Sequence, residues 1–140
     1  TWLRRQRQMC IRDSDVPVAL PALPRAQKLQ KRAALVGFDW PDAHAVLEKL
    51  DEERNELQEA MATGDAAAIA EEMGDLLFTC VNLARRLGLD AESALRHASA
   101  KFERRFRVME AALAEADGRG LAALTASELD ALWVAAKARG

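Results

Sequence analysis

The chain has 140 residues, half of them apolar, and a formal net charge of −2 at pH 7, which fits one domain with a buried core. That balance argues against nucleic acid or a membrane as a partner, and no apolar run reaches the roughly 20 residues of a membrane span. The two cysteines, Cys10 and Cys80, show no pairing pattern, so we expect a cytoplasmic protein in which Cys80 is a small core residue.

The N-terminal segment, residues 1–19, lacks any periodic pattern, and we predict that it is artefactual or disordered. Within it, the peptide RRQRQMCIRDS at 4–14 matches the translation of a common transposase-based sequencing adapter. We interpret this peptide as adapter rather than as a basic arm for an anionic partner, with the native reading frame resuming near Asp15. Three prolines then break any regular element before residue 25. Residues 20–140 are predicted to form the domain.

Helical periodicity dominates the rest of the chain, and no strand signal competes with it. The predicted helices cover about 25–36, 42–62, 66–87, 91–116 and a last segment that ends near 138. Their start signals are Asp39 or Pro41, Asp65, Asp90 and a Thr125–Glu128 capping box, and their stop signals are Gly37, Gly64 and Gly88. The predicted architecture is an all-α antiparallel helical bundle with short loops.

Two pairs of acidic residues lie on the second and third predicted helices. Glu53 and Glu56 are three residues apart, as are Glu72 and Asp75, so each pair shares a helix face. Glu56 and Glu72 are each eight residues from Gly64, so antiparallel packing puts the two pairs at the same height. Four facing carboxylates repel one another unless a cation holds them. All-oxygen ligation suits Mg²⁺, with Mn²⁺ as a substitute.

Other catalytic arrangements are not supported by the pattern. A di-iron bundle needs Glu-x-x-His motifs, and neither His44 nor His97 has a glutamate three residues before it. Both histidines are therefore predicted to be surface or packing residues. The chain also shows no Ser/His/Asp or Cys/His arrangement for a covalent nucleophile and no glycine-rich phosphate loop. We therefore predict direct attack by water.

The stretch EERNE at 52–56, followed by EMGD at 72–75, resembles the EExxE…ExxD signature of the MazG family. This family belongs to the all-α nucleoside triphosphate pyrophosphohydrolases. The similarity runs from about Leu20 to Lys137 and includes RAQKLQKRAALVGFDWPD, KFERRF and LWVAAK. Longer members carry two such domains in tandem. This sequence resembles the C-terminal one, which we interpret as the remainder of a longer protein.

The resemblance implies a Mg²⁺-dependent enzyme that hydrolyses nucleoside triphosphates to the monophosphate and pyrophosphate, and that cleans the cytoplasmic nucleotide pool. The metal ligands would be Glu53, Glu56, Glu72 and Asp75. Glu52, or a ligand such as Glu53 acting through a second water, is the candidate base. Substrate contacts are implied for Lys49, Lys101, Arg105, Trp133 and Lys137. For Asn82 and Trp40, the choice between a nucleotide contact and a packing role stays open.

Two alternatives remain beside this function. One is a narrower pyrophosphohydrolase of the dUTPase-like, dCTPase-like or phosphoribosyl-ATP type. The other is a catalytically silent helical domain that supports an interface.

The helix predicted over 66–87 carries more apolar residues than one stripe of about a hundred degrees requires. We therefore expect a homodimer to cover the surplus, with a monomer covered by its own N-terminal helix as the alternative. The residues predicted to lie in the core are Ile69, Leu76, Leu77, Val81, Leu87, Phe102, Phe106 and Met109.

Overall fold

The computed structural model describes residues 16–116 and 120–140, so the adapter interpretation of residues 4–14 lies outside the described residues. The described chain is built from α-helices and one short 3-10 helix, without a strand, which confirms the all-α prediction. The helices are α1 (Ala22–Leu35), α2 (Ala43–Thr63), α3 (Ala66–Arg86), α4 (Ala91–Ala116) and α5 (Ala126–Ala138), and the 3-10 helix spans Leu121–Ala123. None of these helices combines the length and hydropathy that crossing a membrane requires.

The described residues divide into two compact units, with the boundary between Glu92 and Ser93. The first unit contains α1, α2, α3 and the first two residues of α4. Within it, α3 packs along α2 and also against α1. The second unit contains the remainder of α4, the 3-10 helix and α5.

The turn between α2 and α3 is two residues long. Gly64 adopts a φ of 71°, a left-handed conformation that a residue without Cβ adopts at little cost. Asp65 then caps α3, and its carboxylate accepts a hydrogen bond from the Ala67 amide at 3.0 Å. Because the chain reverses so sharply, α2 and α3 lie side by side and antiparallel. The capping box of Thr125 and Glu128 at the start of α5 is also present.

Two predicted helix starts need correction. The first helix begins two residues before Pro24, because a proline in the first turn needs no hydrogen bond for its nitrogen. The second is capped by Asp42, whose carboxylate accepts a hydrogen bond from the Ala45 amide at 2.9 Å, and not by Asp39 or Pro41. The carboxylate of Asp39 instead accepts hydrogen bonds from Arg85 and Arg86, which are distant in sequence.

The predicted core is partly wrong for a single chain. Val81 and Met109 are buried as predicted, but Cys80 is a free thiol on the surface. The residues predicted as core but found exposed are Leu77, Leu87, Phe102 and Phe106. Helical spacing tells which side chains share a face, whereas their burial depends on what packs against that face.

Candidate metal centre

Three carboxylates from α2 and α3 meet in the first unit. Glu53 and Glu56 of α2 and Glu72 of α3 each offer an oxygen, and these oxygens all lie within 4.8 Å of one another. The two-residue turn produces this meeting, because Glu56 and Glu72 are equally far from Gly64 along antiparallel helices and Glu53 lies one turn before Glu56. Glu53 is buried, with 5% of its surface exposed, while Glu72 is half-buried and Glu56 is exposed.

Asp75, the fourth predicted ligand, lies one turn after Glu72 on α3. It is exposed and stands outside the group of three carboxylates. The negative charge of Asp75 nevertheless contributes to raising the pKa of the Glu72 carboxyl. A metal-ligand role for Asp75 therefore stays a prediction.

The electrostatics of the cluster favour a cation. Partial burial raises the pKa of the Glu72 carboxyl above its ordinary value, and the negative charge of Glu56 raises it further. Oε2 of Glu53 and Oε2 of Glu72 are both buried without a hydrogen-bond partner. A buried carboxylate oxygen without a partner is destabilising. A hard divalent cation such as Mg²⁺ or Mn²⁺ fits this set, because it binds carboxylate oxygens and cancels their repulsion.

Lys49 lies at the edge of the cluster, one turn before Glu53 on α2. Its Nζ is 2.8 Å from Oε1 of Glu53 and 3.4 Å from Oε2 of Glu52. The hydrogen bond to Glu53 raises the pKa of Lys49, and that to Glu52 adds to the effect against the opposing influence of burial. The Glu52 side chain is 66% exposed, so this candidate base faces solvent beside the clustered carboxylates.

The remaining predicted substrate-binding residues, Lys101, Arg105, Trp133 and Lys137, belong to the second unit. There the guanidinium carbon of Arg105 lies 5.9 Å from the centroid of the Trp133 ring, within the range of a cation–π contact. The Phe102 ring packs on the same tryptophan at 5.3 Å between centroids. Lys101 and Lys137 are exposed. Arg105 and Trp133 are therefore in contact within this unit, and their role in substrate binding stays a prediction.

Residues 42–108 match the MazG nucleotide pyrophosphohydrolase domain. This part of the chain belongs to the MazG family. The matched range includes the three clustered carboxylates. Trp133 and Lys137 lie beyond it.

Three relatives show how far the similarity extends. The nucleoside triphosphate pyrophosphohydrolase of Escherichia coli (strain K12) is 49% identical over 121 residues, which are 85% of this chain and 46% of the relative. The nucleoside triphosphate pyrophosphohydrolase/pyrophosphatase MazG of Thermotoga maritima is 47% identical over 126 residues, 90% of this chain and 48% of the relative. The uncharacterized protein YabN of Bacillus subtilis is 42% identical over 124 residues, 88% of this chain and 25% of the relative. The chain thus spans less than half the length of these relatives.

A cavity of about 510 Å³ lies elsewhere in the first unit of this MazG domain, between α1, α3 and the loop that follows α1. Phe38, Trp40 and Phe78 contribute aromatic walls, and Gln30 and Asn82 contribute amides. The Gln30 amide donates to the Phe78 carbonyl at 2.8 Å, while its own Oε1 is buried without a partner. The burial of Gln30 was not predicted from the sequence, because a glutamine among lysines and arginines carries no signal of burial.

Asn82 and Trp40 both lie in the wall of this cavity. Asn82 is buried, and its Oδ1 accepts a hydrogen bond from Nε of Arg85 at 2.9 Å. Trp40 is half-buried in the cavity wall. Both residues line the cavity, so the choice between a nucleotide contact and a packing role stays open.

In the MazG domain, two arginines at the end of α3 form hydrogen bonds and ion pairs with the α1–α2 loop. Arg85 donates to one carboxylate oxygen of Asp39, and Arg86 donates to the other at 3.2 Å. Arg86 also donates to the Pro41 carbonyl at 2.7 Å. Burial of Asp39 works to raise the pKa of its carboxyl, but the hydrogen bond from Arg85 and the two positive charges prevail and lower it. We refer to Asp39, Arg85 and Arg86 as the loop clamp.

Proposed function

We propose that this MazG domain hydrolyses nucleoside triphosphates to the monophosphate and pyrophosphate. The observation that carries the proposal is the convergence of Glu53, Glu56 and Glu72 from two antiparallel helices, with unpartnered oxygens on buried carboxylates. Two relatives that are 49% and 47% identical to this chain over the aligned residues are named nucleoside triphosphate pyrophosphohydrolases, which supports the same reaction.

The reaction we propose is attack by water on the α-phosphorus, with cleavage of its bond to the oxygen of the leaving pyrophosphate. Mg²⁺, or Mn²⁺ in its place, would be held by the three clustered carboxylates with Asp75 as a fourth ligand, and would neutralise phosphate charge and lower the pKa of a bound water. Glu52 is the favoured proton acceptor, because its exposed carboxylate stands beside the ligands. Glu53, acting through a second water, is the alternative base.

Substrate binding needs positive charge on several sides of a triphosphate. We propose that Lys49, Lys101, Arg105 and Lys137 supply it, and that Trp133 offers its ring to the base. The contact between Arg105 and Trp133 supports a shared role for these two residues. Free nucleoside triphosphates occur in the cytoplasm, so we propose that the domain acts there on canonical and abnormal nucleotides.

We also propose that the protein is a homodimer. Met73, Leu77 and Phe78 of α3 are each more than two-fifths exposed. Apolar side chains clustered on one helix usually mark an interface, and a two-fold dimer is the commonest way to cover such a face. Light scattering during size exclusion tests this proposal, because a mass near the 15.4 kDa of one chain at every concentration would contradict it.

The experiment that tests the function is a pyrophosphate-release assay over a panel of nucleoside triphosphates, with and without Mg²⁺. Glu72→Gln is expected to abolish turnover, because it removes a ligand charge from the cluster. Glu71→Gln is the matched control, since Glu71 is its exposed neighbour on the same helix. Full turnover by the Glu72→Gln variant would refute the assignment.

The same panel separates the alternatives. Turnover of dUTP, dCTP or phosphoribosyl-ATP alone would indicate a narrower pyrophosphohydrolase. No turnover of any nucleotide by the folded wild-type protein would indicate a silent interaction domain.

A further inference from the structure

Lys49 is paired with a buried carboxylate, a contact that a lysine binding only phosphate would not need. Its ammonium group is 2.8 Å from a carboxylate oxygen of Glu53, whose side chain is 6% exposed. Glu53 is the most buried of the three clustered carboxylates. A buried negative charge needs a counter-charge, and Lys49 supplies one to the carboxylate that the metal is expected to bind.

We propose that Lys49 is an exchangeable counter-ion, which neutralises Glu53 in the metal-free protein and leaves it when a divalent cation binds. The released ammonium group then binds a phosphate oxygen of the substrate. This inference rests on the proposed function, because it assumes that the carboxylate cluster holds the metal.

Electrostatics explain why the exchange occurs. A divalent cation on Glu53 withdraws the negative charge that holds Lys49 and repels the ammonium group directly. Lys49 ends a flexible four-carbon stem, and it already lies 3.4 Å from Glu52, a carboxylate outside the three-residue cluster. Glu52 therefore offers the ammonium group a second anchor until a phosphate arrives.

The exchange predicts that removal of Lys49 changes two affinities in opposite directions. Removal of Lys49 should tighten metal binding when no phosphate is present, because the cation no longer displaces a competitor. The same removal should weaken binding of a polyphosphate to the metal-loaded protein. A lysine that contacts phosphate alone would show the second effect without the first.

The first measurement is titration of the full chain with Mn²⁺, followed by the electron paramagnetic resonance signal of the free ion. Lys49→Met is expected to bind Mn²⁺ about fivefold more tightly than wild type, the scale of one partly buried ion pair. Arg54→Met is the matched control, because it removes the same charge from an exposed position on α2. It should stay within about twofold of wild type, since the charge of an exposed side chain is screened by solvent and salt. Lys49→Arg, which keeps the positive charge, should also stay near wild type.

The second measurement is binding of inorganic tripolyphosphate to the Mn²⁺-loaded proteins by calorimetry. Lys49→Met should bind it about tenfold more weakly, since one charge-assisted hydrogen bond is lost. In wild type, acetylation of Lys49 by acetic anhydride should accelerate when Mg²⁺ is added and slow again with tripolyphosphate. Circular dichroism verifies that each variant is folded.

The outcomes distinguish failure of this inference from failure of the proposed function. Equal Mn²⁺ affinity in the Lys49→Met and Arg54→Met variants would show that Lys49 stays in place, with the ion on the other oxygen of Glu53. That result would overturn the exchange and leave the metal centre intact. If Glu72→Gln binds Mn²⁺ as wild type does, the metal centre itself is wrong and the inference falls with it.

Discussion

The loop clamp should contribute measurably to stability, and Asp39→Asn is the perturbation that tests it. The substitution keeps the size of the side chain but removes the charge that pairs with Arg85 and Arg86. The three side chains are 18%, 14% and 27% exposed, respectively. Two guanidinium groups would then face a neutral amide in a partly buried position, where a lost pairing is only partly replaced by water.

The magnitude follows from that partial burial. Hydrogen bonds to charged groups contribute roughly 1.5–3 kcal/mol each, and exposed pairs contribute about 1 kcal/mol or less. Because the clamp lies between these limits, we expect Asp39→Asn to lower the free energy of unfolding by about 2 kcal/mol. For a chain of this length, that loss lowers the midpoint of thermal unfolding by about 7 °C.

The pH dependence has a defined sign. The clamp lowers the pKa of Asp39 below its ordinary value of 3.8, so the charged form is favoured in the folded state. The stabilisation is therefore present above the unfolded pKa and is lost as the pH falls through the folded one. The difference between wild type and Asp39→Asn should be full at pH 7 and shrink in acid below pH 3.8.

The assay is thermal unfolding, followed by circular dichroism at several pH values. Asp51→Asn is the control, because Asp51 is an exposed aspartate on α2. Equal midpoints for the Asp39 and Asp51 variants at pH 7 would refute the reasoning about the clamp.

Three further substitutions test local structure. Gly64→Ala should lower stability by about 1 kcal/mol, because no atom lies near the new Cβ and the change acts through the φ of 71° alone. Gly74→Ala, in a helical position with equal space, should instead raise stability by up to about 1 kcal/mol. Equal effects of the two in chemical denaturation would contradict this account. Thr125→Ala removes the capping box and should cost about 1 kcal/mol. Hydrogen exchange in α5 should accelerate, and unchanged protection there would exclude the cap as a source of stability.

Features that depend on neighbours in sequence were predictable. The end of α2 at Gly64 and the start of α3 at Asp65 follow from the conformations and hydrogen bonds that these residue types favour. The meeting of Glu56 with Glu72 follows from their equal distances to the turn. Each of these inferences needed one helix or one helix pair, and spacing alone supplied the geometry.

Features that depend on distant partners were not predictable in the same way. Asp39 pairs with Arg85 across 46 residues, and nothing in either local pattern indicates the other. Leu77 and Phe102 carry the spacing of a core stripe, yet both are more than half exposed. A stripe identifies a face that needs a partner, whereas the partner itself is set by the tertiary and quaternary arrangement.

The two-residue turn at Gly64 also affects how the carboxylate cluster arises during folding. The segment between Glu56 and Glu72 is short, so little chain entropy is lost when their carboxylates meet. Contacts between residues so near in sequence form early, because they need no slow search for distant partners. A divalent cation that binds this hairpin would favour every state in which the hairpin is formed. Metal in the refolding buffer should therefore speed folding as well as raise the final stability.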